Sequence, residues 1–279
     1  MIQSNDKRGS IQGWGSIFAR FAAGVLALGL GQACANAALP TPVAMSDVHA
    51  RPSKLCPGGS VTTPRELARY QGCTEISGDL NLQGPSLTSL SPLNKLRRVD
   101  GNLVVSRTSA VNLAQLAELE SVHALVVTQN PELVGLGSSH LAHASAVLLM
   151  DNPKLRSLES LERLHTLDSL VLSGSDVAYT TAFKALSVVG NLILRDNPHL
   201  ISLGGFSNLV EVSYVEIVHN PALSGVWGIL PAADLRNAEV EVRDNRGLLE
   251  REVLGLLEAS NAKRPQVSGG WRGRPGRDL

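Results

Sequence analysis

One pattern constrains this chain more than any other: a pair of apolar residues, two positions apart, recurs every 22 to 25 residues. An i, i+2 pair has the period of a β-strand, so both side chains of a pair face the same side. Eight such pairs predict a mainly β fold, a parallel β-solenoid of about eight coils with one short strand each. The first members are Leu80, Leu103, Leu125, Val147, Leu170, Leu192, Val215 and Val240, and the second members are Leu82, Val105, Val127, Leu149, Leu172, Leu194, Ile217 and Val242.

A polar residue recurs three positions after each pair from the second coil onward. An inward amide can hydrogen-bond the turn that leaves the strand and also the neighbouring coil, which satisfies buried peptide groups. Proline follows four of the asparagines and ends the strand by fixing φ. We therefore interpret the row as a structural ladder, and we expect local irregularity at residues 173–177, where Asn-Pro is missing. The ladder residues are Asn130, Asn152, Asn197, Asn220 and Asn245, with Thr108 and Ser175 as substitutes.

The N-terminus has the features of an export signal. Basic residues precede an apolar run at residues 21–31, which is too short to span a bilayer, and Ala35-Asn36-Ala37 supplies a small-x-small cleavage site. We predict a signal peptide at residues 1–37 and a protein that is secreted, periplasmic or held at the cell surface. A lipoprotein signal using Cys34 is the alternative, although the usual leucine three positions earlier is missing. No later stretch is apolar enough for a transmembrane helix.

The segment before the repeats is predicted to close the first coil. Cys56 and Cys73 are the cysteines left after cleavage, and in an exported protein we expect them to form a disulfide. Between them, Thr63-Pro64-Arg65-Glu66 is a capping box with proline at the first helical position. A short helix to about Tyr70, ended by Gly72, is therefore expected as a lid over the apolar interior.

The two flanks of the solenoid differ from its repeats. Leu249, Val253, Leu256 and Leu257 follow a helical period and predict a helix that covers the last coil. We place the solenoid with both caps at residues 56–260, after a flexible lead-in at residues 38–55. Residues 261–279 are rich in Gly, Pro and Arg and predict a disordered basic tail. An anchor for an anionic surface polymer is the alternative interpretation of this tail.

A known family has similar repeats. The strand starts Ile76-Ser-Gly-Asp-Leu80-Asn-Leu82 and Val99-Asp-Gly-Asn-Leu103-Val-Val105, after Gly72-Cys73 and before Asn-Pro-x-Leu turns, resemble the receptor L domain. This is the ligand-binding module of insulin- and epidermal-growth-factor-type receptors, and similar repeats occur in microbial surface proteins. The resemblance covers about residues 56–257. It implies a right-handed single-stranded β-helix with a disulfide-held N-terminal helix and a binding function, but not receptor signalling, because a second L domain, a cysteine-rich module and a kinase are not recognised.

A leucine-rich-repeat horseshoe is the alternative fold. Leu167-x-x-Leu170-x-Leu172-x-x-Ser175 and Val212-x-x-Val215-x-Ile217-x-x-Asn220 fit the consensus of that repeat. Both folds contain a parallel strand ladder. The Ile-x-Gly-x-Leu starts and the disulfide lid favour the L-domain interpretation.

The candidate binding site is the outward row between the two inward residues of each strand. Five successive coils place a branched aliphatic there, which predicts an apolar strip about 20 Å long on the open sheet face. We name Val104, Val126, Leu148, Val171 and Ile193 the aliphatic strip. Met150, Arg195 and Tyr214 flank it and complete the candidate site. The alternative is that β-branched stacking along a sheet is simply favourable.

The sequence gives little support for nucleic-acid binding, metal binding or catalysis. The chain has a formal net charge of +0, and its body without leader and tail is slightly acidic, which disfavours nucleic-acid binding. His140-x-x-His143 is half a metal site on a loop. Asp151, Asp196 and Asp244 precede ladder asparagines and suit turns better than catalysis. Phosphate loops, nucleophile elbows and zinc-binding helices are not found, so we expect no enzyme, no metal and no cofactor.

We expect a non-enzymatic recognition module that uses the open sheet face to bind a protein or glycan ligand at the cell surface. A structural or adhesive envelope protein that forms a homodimer through the same face is the second hypothesis. A carbohydrate-active β-helix enzyme is the weakest, because the centre of the face is apolar.

Overall fold

A computed structural model describes residues 53–137, 139–229, 235, 238–260 and 266–268. All described residues belong to the unit Ala50–Leu279, one of the two into which the chain divides. The predicted signal peptide, nearly all of the lead-in and most of the basic tail lie outside the described residues.

The described residues form one parallel sheet whose strands follow each other in chain order, so that each pairs only with its neighbours in sequence. This is the topology of a solenoid, and the predicted mainly β solenoid is confirmed. The strands are β1 (Leu55–Val61), β2 (Glu75–Gln83), β3 (Arg98–Ser106), β4 (Ser121–Thr128), β5 (Ala146–Asn152), β6 (Thr166–Ser175), β7 (Val188–Arg195), β8 (Glu211–Val218), β9 (Glu239–Arg243) and β10 (Gln266–Ser268).

The register of the strands is the one that the spacing of the apolar pairs predicts. Leu80 pairs with Leu103 and Leu103 with Leu125, and the same row continues to Val240 in β9. Both members of each pair are buried. The core is therefore a stack of aliphatic rows that runs through the coils.

The coils turn back through short 3-10 helices, and each of these from Ser91–Leu93 onward buries an apolar residue. Two of these residues, Phe183 and Phe206, stack in successive coils with ring centroids 5.4 Å apart. The described 3-10 helices are Ala68–Tyr70, Ser91–Leu93, Ala114–Leu116, Glu159–Leu161, Thr181–Phe183 and Gly204–Phe206.

Each coil has a second extended side between its polar ladder and its 3-10 helix, and we call the outer surface of this side the second face. Its residues are tied from coil to coil by isolated parallel bridges. One series joins Asn112, Gly135 and Ser157, and another joins Tyr179, Ser202 and Gly225. Residues on the second face are therefore also in register, one strand spacing apart.

The polar ladder forms as predicted. The side-chain oxygen of Asn130 accepts from the N–H of Thr108 at 2.9 Å, and its amide donates to Val105 O at 3.0 Å. Equivalent bonds connect Asn152 to Asn130 and run from Asn245 back to Ser175. Between Asn152 and Ser175 no such side-chain bond is made among the described residues, because serine has no amide to offer. The ladder is thus two runs with one interruption.

The residue before each ladder position turns the corner between the sheet and the second face. It has a positive φ in every described coil, for example 54° at Asp151, 64° at Gly174 and 56° at Asp244. Aspartate and glycine tolerate this left-handed conformation better than most residues. The predicted turn role of the corner aspartates is thus explained by their backbone.

The coil of Ser175, which lacks Asn-Pro, differs from the Asn-Pro coils in its turn and not in its strand. In the Asn-Pro coils the N–H of the returning leucine donates to the asparagine carbonyl, as Leu155 does to Asn152 at 3.0 Å. Ser175 and Val177 are only two residues apart, and the N–H of Asp176 donates instead to Leu155 O at 3.0 Å. A proline at Asp176 could not make this bond. The predicted irregularity is a turn one residue shorter.

The N-terminal cap contains the predicted elements. Cys56 and Cys73 form a disulfide with Cα atoms 5.9 Å apart. Thr63 caps the helix α1 (Pro64–Leu67), and the Glu66 carboxylate accepts from the Thr63 N–H at 3.2 Å. The structure adds one feature, because β1 pairs with β2 and so gives the cap its own strand in the sheet.

The C-terminal cap is the helix α2 (Glu250–Ser260), which buries Val253 and Leu256. Beyond it, β10 pairs with β9 in parallel. The expectation of a fully disordered tail is therefore wrong for these three residues, where free backbone groups at the edge of β9 find partners.

Candidate binding site

The aliphatic strip lies in one row of the sheet. Val104 pairs with Val126, and the row continues through Leu148 and Val171 to Ile193. These side chains are half-buried, and Val171 is only 6% exposed. Each lies between in-register neighbours about 4.8 Å away, which cover its flanks. The strip is continuous, and it presents its outer methyl groups without a protruding side chain.

Polar and charged residues end the strip at β8. Glu216 occupies the next position in the same row and is 6% exposed. Arg195 donates to Glu216 Oε1 from Nε at 2.7 Å, and the hydroxyl of Tyr214 donates to Glu216 Oε2 at 2.9 Å. Glu241 Oε2 lies 3.3 Å from the same hydroxyl. We call Arg195, Tyr214, Glu216 and Glu241 the charged cluster.

The surroundings raise the pKa of two members of the charged cluster, Tyr214 and Arg195. Burial raises the pKa of Tyr214, and the carboxylates of Glu216 and Glu241 raise it further, so its hydroxyl remains a donor. Burial opposes the charge of Arg195, but its hydrogen bond and ion pair with Glu216 outweigh this and raise its pKa. The cluster is thus a fixed arrangement of donors and acceptors beside an apolar surface.

The residues predicted to form the site fall into two groups. Arg195 and Tyr214 lie in the rows on opposite sides of the strip, and both contact Glu216. Met150 lies beside the strip but is 8% exposed, so it offers little surface. Glu216 is the residue that the sequence did not single out, although its place in the outward row was visible.

Exposed hydrophobic side chains lie on the second face, which was not predicted from the sequence to be a site. Tyr179 is 56% exposed and Trp227 is 64% exposed. Val111, Val134 and Ile201 are exposed as well. Most of these residues come one or two positions after an inward residue of the coil, and this spacing is the signal that could have revealed them.

Beside Tyr179 the second face contains a recess of about 540 Å³, which we call the Tyr179 recess. Asp176 lies at its floor, accepts from Arg156 Nε at 2.5 Å and contacts His199 Nδ1. The hydrogen bond from Arg156, followed by that from His199, lowers the pKa of Asp176 despite partial burial. The lining of the recess includes Arg156, Ser157, Glu159, Glu162, Tyr179 and His199.

The described residues contain neither a metal-binding cluster nor a membrane-spanning helix. Within the part of the chain that the structure describes, no three His, Cys, Asp or Glu side chains are arranged to hold a metal ion. His140 has its Nδ1 2.8 Å from Ala117 O. No helix among the described residues has the length and hydropathy needed to cross a membrane.

The comparison with protein families agrees with this architecture. Residues 72–168 match the family described as Receptor L domain. The resemblance seen in the sequence is confirmed. Receptor L domains are ligand-binding and non-enzymatic, so the match supports a binding role, and together with the disulfide it fits an extracellular or surface location.

The chain also shows a distant similarity to a yeast protein. Sporulation-specific protein 2 of Saccharomyces cerevisiae is 22% identical over 198 residues, which cover 70% of this chain and 34% of that protein. The chain therefore spans about a third of the length of this relative.

Proposed function

We propose that the protein is an exported, non-enzymatic recognition module that binds a partner through the open sheet face. The observation that carries this proposal is the continuity of the aliphatic strip with the charged cluster. An apolar surface excludes water, and fixed donors and acceptors at its end give a partner one orientation.

The arrangement favours binding over packing for a physical reason. A carboxylate as buried as Glu216 is expensive to maintain, and an ion pair there adds little stability compared with an apolar residue. A row that only needed to stack could have continued with a branched aliphatic residue, as it does from β3 to β7. Because the row changes from aliphatic residues to a carboxylate at β8, the sheet face is apolar over β3 to β7 and charged beyond them.

Site-specific photo-cross-linking in exporting cells tests the proposal. A benzophenone amino acid at Val126 or at Ile193 is expected to capture the same partner. The matched control is the same amino acid at Lys184, which is exposed at the 3-10 side of a coil and should capture nothing. Val104→Asp should abolish both cross-links in a folded protein, by placing a charge on the strip.

The outcomes distinguish the two hypotheses for this face. A cross-link to a second copy of the chain supports the self-associating envelope protein, which the in-register apolar strip also favours. Equal cross-linking at Lys184, or cross-links that survive Val104→Asp, would show that the sheet face is not the binding surface.

A further inference from the structure

We propose that the second face carries a separate binding site for a neutral linear oligosaccharide, with Tyr179 and Trp227 as its two ring-stacking platforms. The site lies on another side of the coils from the aliphatic strip, and it does not depend on the function proposed for the sheet face.

The Tyr179 recess supplies the first half of the site. An exposed aromatic ring offers a flat apolar surface with a polar edge, to which the face of a sugar ring can stack. Beside this ring, Arg156 and His199 hold Asp176 in place, so that donors and acceptors are fixed before a ligand arrives. Paired donors and acceptors of this kind match the neighbouring hydroxyl groups of a sugar. A volume of about 540 Å³ is within the range of small-ligand sites.

Trp227 supplies the second half. Its indole packs against the backbone of Gly225, since a Cβ added at Gly225 would lie 2.7 Å from Trp227 Cδ1. Any larger residue at Gly225 would therefore displace the ring. The indole nevertheless remains 64% exposed, so one side is held by the solenoid and the other is available.

The distance between the platforms is fixed by the coils. Tyr179 is in register with Ser202, and Ser202 with Gly225, so Tyr179 and Gly225 lie two strand spacings apart, about 10 Å along the stack, and Trp227 follows two residues after Gly225. The coil between them presents Ser202 and Gly204, which are small and leave the track unobstructed. A spacing of this order suits a chain of several sugar units that stacks on both rings.

The charges of the recess decide the class of ligand. A cation would be drawn to Glu159 and Glu162 but would also meet Arg156, which lines the same recess. A polyanion would be drawn to Arg156 and repelled by the two glutamates. The arginine and the two glutamates can all hydrogen-bond hydroxyl groups. A neutral polyhydroxylated chain is therefore the ligand that the whole recess accepts.

Isothermal titration calorimetry of the purified protein with β-1,3-glucan, β-1,4-glucan and chitin hexasaccharides tests the proposal. At least one is expected to bind at micromolar to millimolar concentration, about tenfold more tightly than the disaccharide of the same linkage. Tyr179→Ala and Trp227→Ala should each weaken the hexasaccharide about tenfold and remove this advantage of length. Tyr179→Phe should retain most of the affinity, because it keeps the ring.

Val210→Ala is the matched control, since it also removes an exposed hydrophobic side chain but lies elsewhere on the coil. Thermal unfolding of each variant verifies that it is folded. The proposal is overturned if none of the three hexasaccharides binds, or if binding is unchanged in both alanine variants. It is also overturned if hexalysine or oligogalacturonate binds at Tyr179 and Trp227 in place of the neutral chains.

Discussion

The sheet face and the second face are built from the same coils, yet they expose different chemistry. On the sheet face, aliphatic side chains share one row and remain half-buried, as Val126 and Ile193 do. On the second face, Val111, Tyr179 and Trp227 are each more than half exposed. The apolar surface that the sequence made conspicuous is therefore the less accessible of the two.

The difference follows from register. A side chain in a repeated row has a similar neighbour on each side at one strand spacing, and each covers part of the next. A large side chain that follows glycine or serine in its row has no such cover. Regular repetition thus produces smooth surfaces, and departures from it produce protruding groups that a ligand can surround.

The largest expected difference between the faces concerns their ion pairs. Arg195→Leu leaves the buried carboxylate of Glu216 without its partner and should lower the free energy of unfolding by about 2 kcal/mol. On the second face, Arg156→Leu removes a pair whose arginine side chain is 72% exposed and should change stability by less than about 1 kcal/mol. Urea unfolding at pH 7 measures both.

The double variant Arg195→Leu with Glu216→Leu serves as the control. It removes both charges and should recover most of the stability that the single change loses. If the double variant is as unstable as the single one, packing of the arginine side chain and not the unpaired charge explains the loss.

A smaller effect is expected from placing a charge on each face. Val126→Asp sets a carboxylate between Val104 and Leu148 and should destabilise the protein by about 1 to 2 kcal/mol. Val111→Asp on the second face, where the side chain is 53% exposed, should change stability by less than about 0.5 kcal/mol. Equal effects in urea unfolding would contradict the contrast in accessibility between the two faces.

The smallest effect belongs to the corner where the faces meet. Burial, and then the charge of Asp196, raises the pKa of Asp151. The charged form is therefore disfavoured on folding, and this stability is lost as pH rises from the unfolded pKa near 3.9 to the higher folded value. Asp151→Asn should stabilise the protein by about 0.5 kcal/mol at pH 7, because the group is only partly buried and solvent screens part of its charge.

The pH dependence separates charge from backbone effects. The gain from Asp151→Asn should shrink below about pH 4, where the wild-type carboxyl is also neutral. Asp244→Asn is the control at the equivalent corner position, where the carboxylate contacts His219 Nε2 at 2.9 Å, and it should give no gain. A gain for Asp151→Asn that is constant with pH would assign the effect to the turn conformation alone.

The repeat made much of the fold predictable. The spacing from Leu80 to Val240 determines the register, because an in-register parallel ladder leaves one way to bury both members of each pair. The ladder asparagines were predictable for a similar reason, since their side chains face a backbone that needs partners. The disulfide between Cys56 and Cys73 was predictable because these are the two cysteines outside the predicted signal peptide.

The rest depended on contacts between rows, which spacing does not describe. Glu216 was visible as an outward residue, but its burial requires Arg195 and Tyr214 on both sides. The strand β1 was missed because Gly58 and Gly59, at a shift in register, hide its period. The Tyr179 recess was missed because its lining comes from successive coils, and only the local irregularity was expected.

The interruption between Asn152 and Ser175 has a consequence for how such a chain changes during evolution. Every strand pairs only with its neighbours in sequence, so a whole coil can be gained or lost without a change in the path of the others. At the other ladder junctions, an inserted coil would need a polar residue that hydrogen-bonds the ladder asparagines of the coils on both sides. At the junction after Asn152 that requirement is relaxed, which makes this the place where duplication or deletion of a coil disturbs the inherited architecture least.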